Sequence, residues 1–191
     1  MSERVYTIGH GTKPFEEFIR ILKHYRIEIV ADIRSFPASR RHAHFNGTYL
    51  EGELPSFGMT YLWCRALGGF RKRGLGDRSP NTALKNDSFR NYADYMLSGG
   101  FQESVALLLK IVQKNRVCLL CAETLPFRCH RWILSDYLTA RGTEVVHLMD
   151  TRKCEVHKMS RWAVVREGRV IYNQAETSTP GAECIDGKSE R

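Results

Sequence analysis

Residues 116–131, RVCLLCAETLPFRCHR, hold the clearest strand–loop–helix pattern of this chain and its densest group of reactive side chains. The apolar run at 117–121 has the length of a buried strand, and a polar loop separates it from apolar residues at helical spacing in 133–138. Ligands of open α/β sheets bind where strands end in such loops. The stretch therefore predicts a core element and a candidate site, whose reactive side chains are Cys121, Glu123, Cys129 and His130.

The N-terminal part of the chain shows a related pattern. Residues 4–8 are strand-like and end at the sequence GHGT, a helical pattern follows at 15–22, and a β-branched apolar run occupies 27–33. Strand, helix and strand within about thirty residues is the βαβ unit of a parallel sheet. We therefore expect His10, which follows the first strand, to lie at the same sheet edge as the 121–131 loop.

The other segments complete one domain. Strands are predicted at 59–63 and 144–149, helices at 89–96 and 101–112, and a hairpin at 160–173. The expected fold class is α/β: a single domain over 1–173, with a mostly parallel sheet flanked by helices and a C-terminal β-hairpin. Residues 174–191 are polar and are expected to form a flexible tail.

Composition restricts the class of protein and its partners. The net charge of +8 favours an anionic partner, either a small molecule or a nucleic acid. No apolar stretch approaches the roughly 20 residues of a membrane span, and the N-terminal residues lack the apolar region of a signal peptide. We therefore expect a soluble cytoplasmic protein that has no membrane partner and keeps its six cysteines reduced.

Candidate substrate-binding residues follow the second strand. Asp32 and Arg34 point to the same side of a strand, and Ser39 and Arg40 follow in a loop rich in hydroxyls and arginines. Together with Arg131, this group has the guanidinium and hydroxyl donors that bind a phosphate or carboxylate. The alternative is that Asp32 and Arg34 pair with each other and tie down the loop.

Cysteine and histidine chemistry is expected in the 121–131 stretch. Cys129 begins a helix beside basic residues, a setting that favours a thiolate nucleophile, and its partner is either His130 or His10. The alternative is a buried structural cysteine. A metal site of Cys121, Cys129 and His130, with Glu123 as an optional fourth ligand, lacks the tight spacing of structural zinc knuckles, so no metal ligand is assigned.

Glu123 is the candidate general acid or base. It follows a strand directly, and its alternative role is a salt bridge to Arg128 or Arg131. A phosphatase-type loop is excluded because Arg128 lies one residue beyond the C-x5-R spacing from Cys121. Pro126 and Phe127 also replace the glycines that such a loop needs.

Residues 65–86 form a long excursion rich in glycine and basic residues, of the kind that covers a site. Aromatic and basic residues alternate at its start, including Trp63, Phe70 and Arg71. Such a segment suits a stacked base beside phosphates, or equally a solvated loop with one buried aromatic ring.

Six segments together carry a family resemblance: TIGHGT at 7–12, DIRSFPASR at 32–40, LGG at 67–69, YADYM at 92–96, CAETLPFRCHR at 121–131 and VVHL at 145–148. With this pattern the chain resembles the Domain of Unknown Function family 488. The resemblance implies a compact α/β domain whose motif residues gather at one edge of the sheet. Gly11 stands where the family usually has serine. The motif residues implied here are Gly9, His10, Asp32, Arg34, Pro37, Ser39, Arg40, Glu123, Cys129, His130 and Arg131.

These observations give one leading hypothesis and two alternatives. The leading one is an enzyme, a hydrolase or transferase, that acts on a phosphorylated ligand such as a nucleotide or nucleic acid. Its predicted catalytic residues are His10, Glu123, Cys129 and His130, and its predicted substrate-binding residues are Asp32, Arg34, Ser39, Arg40 and Arg131. The alternatives are a non-catalytic nucleic-acid-binding module and a metal-dependent protein that uses zinc or iron. The sequence identifies no cofactor and no oligomeric state.

Overall fold

The computed structural model describes residues 3–39 and 41–173. Its main sheet has six strands, namely β1 (Arg4–Gly9), β2 (Ile29–Asp32), β3 (Thr60–Trp63), β4 (Val117–Cys121), β5 (Glu144–Leu148) and β6 (Cys154–Val156). The strand order is β3-β2-β4-β1-β5-β6. Strands β1 to β5 pair in parallel, and β6 runs antiparallel to β5 at the edge. The expected α/β fold with a mostly parallel sheet is therefore confirmed.

Five α-helices of the described residues cover both faces of the sheet: α1 (Phe15–His24), α2 (Gly47–Glu53), α3 (Asp87–Met96), α4 (Gly99–Val112) and α5 (His130–Ala140). Helices α1 and α2 pack on one face, and α3, α4 and α5 pack on the other. The first turns of α3 and α4 are capped by Asn86 and Ser98, whose side chains accept hydrogen bonds from backbone N–H groups.

The central position of β4 explains its unbroken apolar sequence. Leu119 and Cys121 belong to the core layer beneath α3, α4 and α5, whereas Cys118 and Leu120 belong to the layer beneath α1 and α2. A parallel strand that is covered on both faces needs apolar residues at every position, which is why β4 lacks the polar alternation of a half-exposed strand. The opposite orientations of Cys118 and Cys121 also keep these two thiols apart.

The connections after β1 and β4 leave the sheet on opposite faces, through α1 and α5 respectively. Neighbouring strands with this property form a topological switch point, where open α/β sheets usually bind ligands. Here backbone fills that position: the N–H of His10 donates to the Cys121 carbonyl at 3.0 Å, and the N–H of Gly11 donates to the Ala122 carbonyl at 2.8 Å. A side chain on Gly9 would overlap the Glu123 carbonyl. The open cleft lies one strand away, between the ends of β2 and β4.

The C-terminal hairpin consists of β7 (Ala163–Arg166) and β8 (Arg169–Tyr172), as expected from the sequence. Glu167 and Gly168 connect the two strands and both have positive φ, of 47° and 72°, the geometry of the tight turn that suits hairpin twist. Tyr172 anchors the hairpin, because its hydroxyl donates to Asp136 at 2.8 Å and its N–H donates to Asn81 at 3.0 Å.

Two sequence expectations have a different outcome. The sequence does not predict strand β6, because its three residues are too few to establish a strand periodicity and all of them are exposed. The tail predicted at 174–191 lies outside the described residues. Within the described parts of the chain, none of the helices is both long enough and apolar enough to cross a membrane.

Candidate functional site

A cleft of about 410 Å³ opens at the carboxyl ends of β2 and β4. Three segments form it: the loop after β2, the loop after β3, and the chain from the end of β4 to the start of α5. Volumes of this order are typical of sites for small molecules. The lining residues that bear on its chemistry are Arg34, Phe36, Phe70, Arg71, Cys121, Glu123, Cys129 and His130.

Two cysteines and a histidine meet in this cleft. Cys121 is the last residue of β4, and Cys129 precedes the first residue of α5, His130. The Cys121 Sγ lies 3.8 Å from the His130 Nδ1, and the His130 Nε2 lies 2.9 Å from the Ile33 carbonyl oxygen. A carbonyl can only accept, so we assign the proton of neutral His130 to Nε2. The Nδ1 atom then faces the Cys121 thiol as an acceptor.

The two thiols differ in pKa because their surroundings differ. The pKa of Cys121 is held well below its ordinary value by a hydrogen bond from Cys129 and by the positive potential of His130 and Arg131, which together outweigh burial. The same hydrogen bond, together with burial, raises the pKa of Cys129. The favoured thiolate is therefore Cys121, whereas the sequence predicts Cys129 as either the nucleophile or a buried structural cysteine.

Arg34 forms one wall of the cleft and is itself held by a polar network. Its Nε donates to the Asp32 carboxylate at 2.9 and 3.0 Å, and its Nη2 donates to the Phe45 carbonyl at 2.8 Å. The Tyr61 hydroxyl donates to the same carboxylate at 2.8 Å. Asp32 therefore lies behind Arg34, fully buried, and fixes the guanidinium. The sequence leaves two interpretations of Arg34, an ion pair that ties down the loop and an anion-binding group. The pair with Asp32 is present, and Arg34 also lines the cleft.

His10 lies behind Arg34 and outside the cleft lining. Its ring stacks on Phe45 with centroids 4.3 Å apart, its Nδ1 lies 2.9 Å from the Gly11 carbonyl, and its Nε2 lies 3.4 Å from the Arg34 Nη1. Burial lowers the pKa of His10 to about 4, so the ring is neutral at pH 7 and accepts from the guanidinium. Among described partners, four of the five Arg34 N–H groups are thereby paired, which leaves one Nη1 donor for a ligand.

Arg131 stabilises the loop beneath the cleft. It is 1% exposed, and its Nη2 donates to the carbonyls of Glu123 and Thr124 at 2.8 Å each. Glu123 itself is exposed and lines the cleft, and its carboxylate makes no ion pair with any residue that the structure describes. Arg131 therefore holds the backbone that presents Glu123.

The remaining predicted residues lie elsewhere. Ser39 is in the loop after β2, where its N–H donates to Asn46 at 2.6 Å and its hydroxyl accepts from the His42 N–H at 3.0 Å. It is not among the residues that line the cleft. Arg40 lies outside the described residues. The structure thus brings together Arg34, Glu123, Cys129 and His130, adds Cys121, and places His10, Asp32 and Arg131 one layer behind.

Cys121 is not among the catalytic residues predicted from the sequence. One signal was available: Cys121 is the last residue of a buried strand that runs into the loop, the position where parallel sheets present reactive groups. The contact between the Cys121 Sγ and the His130 Nδ1, which distinguishes Cys121 from Cys129, depends on how α5 returns to the sheet, and spacing does not give that geometry.

Fold and site together define an α/β protein with a cysteine–histidine cleft at the carboxyl edge of a parallel sheet. The chain belongs to the family described as domain of unknown function DUF488, which it matches over residues 14–138. The match includes the segments that supply Arg34, Cys121 and His130; it begins after the 7–12 segment and ends before the 145–148 segment. No curated protein and no solved structure matches the chain.

Proposed function

We propose that this protein is an enzyme that acts on a phosphorylated ligand, such as a nucleotide or nucleic acid, with Cys121 as the nucleophile. The observation that carries the proposal is the contact of the Cys121 Sγ with the His130 Nδ1 at 3.8 Å, in a cleft that Arg34 also lines. A thiol beside an imidazole that is itself oriented by a third group, here the Ile33 carbonyl, is the arrangement of an activated nucleophile.

Each group has a role in the proposed reaction. The Cys121 proton passes to the His130 Nδ1, and the thiolate forms a bond to the electrophilic atom of the ligand as the bond to the leaving group breaks. The leaving group takes the proton from His130. Glu123 then accepts a proton from the water or acceptor molecule that cleaves the covalent intermediate, and this proton returns to the released Cys121 sulfur, which restores the starting thiol. Arg34 binds the phosphate through its unpaired Nη1 donor.

Cys129 supports this reaction without taking part in bond formation. Its thiol donates to the Cys121 sulfur and so stabilises the thiolate, as a hydrogen bond to the charged form does. We therefore assign Cys129 as a positioning residue, keep Glu123 in the proton-transfer role that the sequence suggested, and give His130 the second such role in place of His10.

The test measures turnover of a panel of nucleoside monophosphates, sugar phosphates and short oligonucleotides by the purified full chain. We expect Cys121→Ser to lower the rate by about a thousandfold or more, and Glu123→Gln by at least about a hundredfold. Cys154→Ser is the matched control, because Cys154 is exposed on the edge strand β6 and should leave the rate unchanged. Full turnover by the Cys121→Ser protein, or no turnover of any ester by the wild type, contradicts the proposal.

A second candidate, a metal-dependent protein that uses zinc or iron, is favoured by one observation. Potential ligand atoms of Cys121, Cys129 and His130 all lie within 4.8 Å of one another. Three such ligands with an open fourth position are the pattern of catalytic zinc sites, and the bond from His130 to Ile33 is the outer contact that metal-bound histidines usually make. Bound zinc would supply a Lewis acid in the cleft.

Elemental analysis separates the two candidates, because a metal would hold the Cys121 thiolate as a ligand. Stoichiometric zinc or iron in protein purified without chelator, lost in Cys129→Ser and retained in Cys154→Ser, supports the metal site. Absence of metal, together with no ligand-field absorption on cobalt titration, contradicts it and leaves Cys121 free as the nucleophile.

A further inference from the structure

Two phenylalanine rings stand exposed at the mouth of the cleft. Phe36, in the loop after β2, is 66% exposed, and Phe70, in the loop after β3, is 57% exposed. Their ring centroids lie 5.8 Å apart, with the ring planes inclined by 59°. Both rings line the same cleft as Arg34 and Cys121. The sequence alternative of a solvated loop with one buried aromatic ring does not describe Phe70, nor Trp63, which is 43% exposed.

Polar contacts fix the backbone on both sides of these rings. The Phe70 N–H donates to the Ser35 hydroxyl at 2.8 Å, which joins the two loops. The Trp63 indole N–H donates to the Arg34 carbonyl at 3.0 Å, and the Arg71 guanidinium donates to the Ala66 carbonyl at 2.7 Å. The Arg71 guanidinium also lies 3.7 Å from the centre of the Tyr95 ring. Water-exposed apolar rings on backbone secured in this way indicate a surface that is prepared for a ligand.

The chemistry around the rings selects the ligand. An aromatic face stacks on any planar base, and in nucleic-acid-binding proteins such rings act beside cationic groups that hold the phosphates. Here the cationic group is Arg34, which keeps one donor for an anion, and exposed Glu123 can accept from an amino or hydroxyl group. No comparable cation–aromatic arrangement is needed for a simple sugar phosphate.

We infer that Phe36 and Phe70 form a stacking surface for the base of a nucleotide whose phosphate binds Arg34. This inference rests on the proposed function, because it takes the phosphate site from it and adds recognition of the base. The base is that of a free nucleotide or of a nucleotide in a single strand, since both present the same planar ring next to a phosphate.

The test compares the affinity of the full chain for nucleoside monophosphates and for ribose phosphate, measured by isothermal titration calorimetry. Ribose phosphate carries the phosphate without a base. We expect the wild type to bind the nucleotides at least about tenfold more tightly than ribose phosphate, and the double variant Phe36→Ala/Phe70→Ala to bind all of them equally. Phe127→Ala is the matched control, because its ring is 54% exposed and lies outside the cleft lining, so the preference should persist.

The outcomes separate this inference from the function on which it rests. Equal wild-type affinity for nucleotides and ribose phosphate, or a preference that survives the double substitution, overturns the stacking surface while the phosphate site stands. No binding of nucleotide, ribose phosphate or single-stranded oligonucleotide overturns both. Binding of the oligonucleotide without the free nucleotides, lost in the double variant, supports the stacking surface and assigns the base to a strand.

Discussion

Two cysteines eight residues apart have opposite chemistry because their partners differ. Cys121 accepts a hydrogen bond from Cys129 and faces His130, so its charged form is stabilised. Cys129 lies beside that negative sulfur, and the proximity keeps its own proton in place. Burial disfavours a thiolate at both positions, and only the specific contacts at Cys121 overcome it.

Among the buried thiols, alkylation should therefore occur first at Cys121. With iodoacetamide at pH 7 in the presence of a metal chelator, we expect Cys121 to react before Cys118 and Cys129, because the thiolate is the reactive form and Cys121 lines the cleft. His130→Ala should slow the reaction about tenfold, and His24→Ala, at an exposed site, should leave it unchanged. Peptide mass spectrometry after short exposures gives the order, and earlier modification of Cys129 would argue against Cys121 as the thiolate.

Asp32 is the residue on which Arg34 depends. Its carboxylate is fully buried and accepts from the Arg34 guanidinium and the Tyr61 hydroxyl. Asp32→Asn keeps the shape but leaves the buried guanidinium without its counter-charge, so we expect the free energy of unfolding to fall by about 3–5 kcal/mol. Urea titration measures the loss. Asp77→Asn, at an exposed position, is the control, and a loss for Asp32→Asn as small as that of the control would rule out this role.

At the scale of elements, the strands and helices could be read from the sequence because their patterns are local. The apolar run of β4 and the spacing of Phe18 and Leu22 in α1 each follow from burial of that segment alone. The sequence does not predict β6, because its three exposed residues form a strand only where the chain turns back and pairs with β5. Most of the predicted site residues gather at one sheet edge because the strands that carry them follow from the same local patterns.

The choice between neighbouring positions at that edge is not a local property. Gly9 packs against the Glu123 carbonyl and closes the gap between β1 and β4, which moves the cleft toward β2 and leaves His10 behind Arg34. A contact between residues more than a hundred positions apart leaves no spacing signal in one sequence. This is why the sequence does not distinguish His10, which lies behind Arg34, from Glu123 and His130, which line the cleft.

Gly69, in the loop after β3, packs against the His130 ring at the start of α5 and so determines where that ring lies. A side chain at Gly69 would overlap the His130 ring, so the loop after β3 can pass over the start of α5 only with glycine there. We expect Gly69→Ala to displace the imidazole from Cys121, to slow alkylation of Cys121 by about as much as His130→Ala, and to lower the free energy of unfolding by about 1–3 kcal/mol. Gly52→Ala is the control, because a side chain there meets nothing within 4 Å. An unchanged alkylation rate in Gly69→Ala would show that the loop yields instead.

At the scale of the whole molecule, a hydrogen-bonded network of buried polar side chains joins the sheet, α5 and the C-terminal hairpin. The His147 Nδ1 lies 2.7 Å from the Thr7 hydroxyl, and its Nε2 lies 3.0 Å from the His157 Nδ1. The His157 Nε2 in turn lies 3.0 Å from Asp136, which also accepts from the Tyr172 hydroxyl. The network thus connects β1, β5, α5 and β8 through side chains that are almost entirely shielded from water.

This network should make the stability of the protein depend on pH. Burial, with the charges of His157 and Arg131, lowers the pKa of His147 from 6.5 to about 3, so the unfolded chain takes up a proton at a higher pH than the folded one. The stabilisation is complete above pH 6.5 and is lost progressively as the pH falls toward 3, by about 2 kcal/mol at pH 5.

We expect urea titrations at pH 7 and pH 5 to show this loss in the wild type and in His24→Gln, whose side chain is exposed. His147→Gln should be less stable than the wild type at pH 7 and should lose about 2 kcal/mol less on acidification, because glutamine does not titrate. Equal pH dependence in His147→Gln and the wild type would place the acid sensitivity elsewhere in the molecule.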